Sequence, residues 1–128
     1  MALQLTTAPT AEPILLAEAK ARLRIDVDDE DALLTALIAA ARMFVEKTLG
    51  VALITQSWSY FLDFWPAAGC ITLPILPVQA VSAVTVPDDA GGATTLDAGS
   101  YNVDVLSEPA RIVLKGAVPT VAARALNA

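Results

Sequence analysis

The segment DVDDEDALLTALIAAARMFVEKTLG, residues 26–50, decides how this chain is read. Leu33, Leu34, Leu37, Ile38, Ala41, Phe44, Val45 and Leu49 recur at helical spacing and make a broad apolar stripe. Asp28 stands where an N-cap belongs, with Asp31 three residues later, and acids fill the first turn, where the positive end of the helix dipole favours them. Gly50 stands where a left-handed C-terminal cap belongs. The pattern predicts a helix over about 29–49.

Working outward, LLAEAKARLR at 15–24 is rich in strong helix formers, with Leu16, Ala19 and Leu23 on one face and Glu18 four residues before Arg22. So short a helix persists only by packing on something. Before it, Thr6, Thr7, Pro9, Thr10 and Pro13 show little periodicity and suggest an extended arm over 1–13. After Gly50 the texture turns strand-like. In QSWSYFLDFW (56–65), Trp58, Tyr60, Leu62 and Phe64 alternate with Ser57, Ser59, Phe61 and Asp63, as on a strand with one apolar face. Short strands are expected at 70–73, 79–86, 101–105 and 111–115, separated by Pro66 and Gly69, by Pro74 and Pro77, by a DDAGG turn at 88–92, and by Ser107, Glu108 and Pro109. Connections this short favour antiparallel hairpins.

The expected class is α+β: N-terminal helices at about 15–24 and 29–49, then a small antiparallel β-region at about 57–115. A chain of 128 residues is read as one domain: arm 1–13, helical part 14–50, β-region 51–116 and tail 117–128.

Composition narrows the function. With 55% hydrophobic residues, 17% charged residues and a mean hydropathy of +0.58, part of the surface is expected to meet other subunits. No membrane partner is expected. Residues 64–87 carry no charge, but Pro66, Pro74, Pro77 and Pro87 interrupt them, and a helical span needs roughly 20 uninterrupted apolar residues. The opening MALQLTTAPTAEP lacks the pattern of a signal peptide.

Cys70 is the only cysteine and histidine is absent, which removes disulfides, thiolate clusters and the commonest general base together. The net charge of −6 argues against gripping nucleic acid, since that affinity comes largely from neutralising phosphates.

Several local patterns invite chemical readings. The acids Asp26, Asp28, Asp29, Glu30 and Asp31 begin like a calcium loop, but its sixth and twelfth places hold Asp31 and Leu37 instead of Gly and Glu. Capping explains them better. Asp63, Asp88, Asp89, Asp97 and Asp104 show no spacing that favours a hydrolytic pair, and Gly91 and Gly92 follow acids that would repel phosphate. Trp58, Tyr60, Phe61 and Trp65 lack basic neighbours, so a core or interface role is expected rather than a base-stacking platform. No catalytic residue, cofactor or metal is expected.

LAEAKARLRID at 16–26 and DEDALLTALIAAARMFVEKTLGVALITQSW at 29–58, followed by ITLPILPVQAVSAVTV at 71–86 and then SYNVDV and ARIVL, resemble the phage head-tail connector (adaptor) family of gp6-like and gp8-like proteins, gene transfer agent adaptors included. The resemblance covers nearly the whole chain. It implies a structural, non-enzymatic virion subunit in a homo-oligomeric, twelve-fold ring below the portal protein and above a stopper or tail protein. DNA would pass through the ring without specific binding, and assembly would occur in the host bacterial cytoplasm. Family members usually continue into a further strand and C-terminal helices that commonly dock on the portal. This chain departs from that pattern by stopping at Ala128. Either more sequence follows, or portal docking is done differently here.

The alternatives are another head-completion or tail-terminator subunit and, in a different class, a small ligand-binding module using the aromatic strand at 58–65. A closed ring needs two different complementary patches on each subunit. The candidate patches are Lys20, Arg22, Arg24, Arg42 and Glu46 on the first two helices and the acids Asp28, Asp29 and Asp31 opposite them. Charge reversal at Arg24 and at Asp29 is expected to impair ring assembly, measured by size-exclusion chromatography. Normal rings from both single variants would count against this pairing.

Overall fold

The computed structural model describes residues 1–87 and 92–119. Helices α1 (Leu16–Leu23) and α2 (Asp31–Leu49) follow strand β1 (Ala2–Thr7) and precede strands β2 (Ser57–Phe61), β3 (Cys70–Thr72), β4 (Thr85–Pro87), β5 (Ala93–Thr95), β6 (Tyr101–Asp104) and β7 (Arg111–Leu114). The class is therefore the expected α+β, with both helices ahead of the main β-region. The described residues fall into two units, Leu5–Trp58 and a second made of Met1–Gln4 with Ser59 onward.

In the helical unit, α2 ends as its sequence predicts. Gly50 adopts φ 66°, and the Gly50 and Val51 amides donate to the Glu46 carbonyl at 2.9 and 3.2 Å. The start of the helix differs from expectation. Glu30, not Asp28, occupies the N-cap position, and no side chain caps the helix. Asp28 is engaged elsewhere, accepting from the Lys20 ammonium at 2.6 Å, a bond in which donor and acceptor are both ionised.

Helix α1 also departs in one detail. The Glu18–Arg22 pair anticipated from spacing is replaced by a bond in which the Leu15 amide donates to the Glu18 carboxylate at 2.9 Å. That bond satisfies one of the free donors at the helix start. Arg24 closes α1 in the left-handed region at φ 56°, a conformation that costs a non-glycine residue roughly 1 kcal/mol.

Of the arm expected over 1–13, Ala2–Thr7 form a strand, and β1 and β2 make a two-stranded sheet. β2 is shorter than the alternation at 56–65 suggested. It stops at Phe61, so the apolar face does not continue to Phe64, which is exposed.

The β-unit is built on the antiparallel sheet β3-β7-β6. Ile71 lies opposite Ile112, and Val103 lies opposite Ile112 on the other side. Central β7 thus places Ile112 among the buried residues Ile71 and Tyr101, with Tyr60, Leu62, Trp65, Leu73 and Leu114 packed around them. β4 and β5 pair antiparallel from Thr85↔Thr95 to Pro87↔Ala93. The strand expected over 79–86 is confined to Thr85–Pro87, because its ladder extends only as far as the three-residue β5 faces it. Residues 88–91 of the DDAGG turn, and the tail from 120, lie outside the described residues.

Ile112 is the centre of this core. Ile112→Ala is expected to lower stability by about 2–4 kcal/mol, read from the midpoint of urea unfolding at unchanged slope.

Candidate functional site

The charged residues singled out on the helices sort into two internal clusters and an exposed remainder. The Lys20 ammonium donates to Asp28 and to Asp31, each at 2.6 Å, tying α1 to the start of α2. These bonds, with Asp28 foremost, raise the Lys20 pKa above its ordinary 10.5, and the ammonium in turn holds Asp28 below its ordinary 3.8.

The second cluster centres on Arg42. Its Nε donates to Glu12 at 2.7 Å and its Nη1 to Glu46 at 2.6 Å, with the guanidinium side chain only 9% exposed. The other Glu46 oxygen accepts from the Leu53 amide and from Gln56 Nε2, both at 2.9 Å. One largely shielded cation therefore ties the segment before α1, the body of α2 and the chain after α2 together. Arg42 and Glu46 were legible as charged helical positions. Glu12 and Gln56 were not, since no local period connects a residue to one 30 places away.

Arg22, Arg24 and Asp29 form the remainder. All three are exposed and make no ion pair among the described residues.

Between α1 and α2 runs an apolar groove of about 630 Å³, lined by Ile14, Leu23, Leu34, Val45 and Leu53 with Arg22 at its wall. Glu18, whose carboxylate accepts from the Leu15 amide, and Arg42, bonded to Glu12 and Glu46, also line it. In the β-unit, a hollow of about 290 Å³ is lined by Tyr60, Phe64, Ile71 and the half-buried Cys70, with Asp63 as its one carboxylate. That carboxylate already accepts from the Met1 ammonium at 2.6 Å. Among the described residues no group of three or more Cys, Asp or Glu could hold a metal ion, and no helix is long and apolar enough to cross a membrane.

Asp104 has a larger role than a polar face on a strand. Its carboxylate accepts from the Ser107 hydroxyl at 2.7 Å, the Ser107 amide at 3.1 Å, Arg111 Nε at 3.0 Å and the Leu106 amide at 3.2 Å. The sequence signal was present in Asp104 followed by Ser107, the arrangement of a side chain that closes its own turn. The clamp fixes the β6–β7 loop with Leu106 at its tip, 94% exposed. Led by the Ser107 hydroxyl, these donors bring the carboxyl down from 3.8 to about 2.

Because the folded pKa is depressed, the contribution of Asp104 to stability is complete above its unfolded value and disappears as pH falls through about 2. Asp104→Asn is expected to remove the part of the acid stability loss that falls between pH 3.8 and about 2, measured as urea midpoints across that window. A wild-type carboxyl that titrates at its ordinary value by NMR would overturn this assignment.

The family model for phage gp6-like head-tail connector proteins matches residues 13–94, more than half of the chain. Curated proteins give no match. Similar solved structures include two of gene transfer agent particles. One is the neck of an empty gene transfer agent particle computed with C6 symmetry, 30% identical with a TM-score of 0.80 over 94% of this chain. The other is the virion of a native gene transfer agent particle, also 30% identical, with a TM-score of 0.73 over 94% of this chain. This chain spans 65% and 64% of the two chains it matches. With both helices and the start of the β-region inside the matched segment, the chain belongs to the phage gp6-like head-tail connector protein family.

Proposed function

We propose that this protein is a structural subunit of the neck of a phage or gene transfer agent particle. It assembles with copies of itself into a ring that adapts the portal to the next stopper or tail component, and DNA passes through the centre. The observation that carries this reading is the similarity to a gene transfer agent neck over 94% of the chain, joined to membership of the head-tail connector family. The six-fold symmetry of that neck supports a ring, and six-fold symmetry accommodates twelve copies as readily as six. No catalytic step, cofactor or metal belongs to this reading, and its mechanism is geometric.

The charges fit such a part. A net charge of −6 repels DNA phosphates, so a strand can slide past without being held. Lys20, Asp28, Asp31, Arg42 and Glu46 serve the proposed subunit contact indirectly by fixing the helices that present it. Among the charges singled out on the helices, Arg22, Arg24 and Asp29 are left to meet a neighbour.

Electron microscopy of the purified protein, alone and mixed with its cognate portal, tests the reading. Rings that stack coaxially on the portal are the expected result. A monomer that ignores both portal and tail proteins would sink it.

A further inference from the structure

Helix α2 carries more hydrocarbon than its own unit covers. Leu34 is its one buried residue, while Leu33, Leu37 and Phe44 are 57%, 55% and 72% exposed. At 3.6 residues per turn these three and Ala40 fall within an arc of about 60°. That arc adjoins the side where Leu34, Ala41 and Val45 line the groove, and Leu37, at the edge between them, lines the groove as well. A helix apolar on so much of its circumference belongs in an interior.

Charge singles out what covers it. Asp29 and Glu30 precede the stripe by about one turn and form no ion pair among the described residues. Arg22, equally without an ion pair, stands on the groove wall near the end of α1. The stripe is thus acidic at its start, and the groove, which Glu18 lines one turn earlier in α1, is basic at that same end of the helical pair. Two such pairs side by side and pointing the same way bring acid to base and apolar stripe to apolar groove. Pointing the same way is the relation that a rotation axis along the helices imposes on neighbouring copies. Both complementary patches lie on this chain, so a second copy suffices as occupant.

We propose that the Leu33 and Phe44 stripe of one copy seats in the α1–α2 groove of the next, with Asp29 of the first paired to Arg22 of the second. The contact is heterologous, repeats around the ring, and rests on the ring reading above. It replaces a purely charged interface with an apolar centre and a charged rim, the usual anatomy of a lasting contact.

The test uses the full chain, with ring population read by mass photometry and folding by circular dichroism and urea midpoint. Phe44→Asp is expected to cut the ring population by at least roughly ten-fold, as loss of an anchoring side chain does, while the fold is unchanged. Arg22→Glu should weaken assembly, and the exchange Arg22→Glu with Asp29→Arg should restore it. Intact rings from Phe44→Asp, or an exchange that fails to restore, overturn the proposal while leaving the ring reading standing. Mixing F44C with L33C chains, both in a C70S background, offers a further overturning result: efficient disulfide linkage between them would mean that two stripes face each other across a dyad. If the unaltered protein forms no ring alone or on the portal, both readings fail together.

Discussion

The helical unit depends on a guanidinium that is almost out of water. Moving a charge inside costs several kcal/mol, and the cost is offset only where it meets good acceptors. Arg42 has two, Glu12 at Nε and Glu46 at Nη1, and Glu46 in turn holds Leu53 and Gln56. These bonds dictate where the chain enters α1 and where it goes after α2. Ile14 and Leu53, two of the groove-lining residues, stand within three residues of an Arg42 or Glu46 partner. The groove is therefore bordered by segments that this cation and its partners hold in place.

Lys20 performs a lighter version of the same task at the other end. Its two carboxylates lie on the link into α2 and in the first turn of α2, so the helix pair is tied at both ends by cations of α1 and α2. Of the charges singled out for a subunit contact, this division leaves Arg22, Arg24 and Asp29, all close to the α1–α2 link.

Legibility followed the range of the interaction that decides each element. α2 was readable because its apolar period, its acidic first turn and Gly50 agree within 25 residues of sequence. Asp28 was misread because a cap is a local rule and Lys20, eight residues away, offered a charged donor. The strand length at 79–86 depended on the extent of β5, which no period within the strand encodes. β1 read as an arm because nothing in ALQLTT announces that a partner 50 residues later will pair with it. At the candidate site, Leu33, Leu37 and Phe44 were legible as apolar helix positions. Which flank of the stripe stays open depends on where α1 lies, and that is set by Glu12 and Arg42.

The clamped β6–β7 loop has a consequence for the subunit before it is built into anything. A floppy tip could fold its leucine back against the sheet and hide it from water. Leu106 has no such freedom, since the carboxylate of Asp104 spends its lone pairs keeping the backbone beneath it in one shape. The wetting penalty of that hydrocarbon, roughly 1.5–3 kcal/mol for a full leucine side chain, is a standing debt of the solitary molecule. Any neighbour that shelters the tip collects it without first having to freeze the loop.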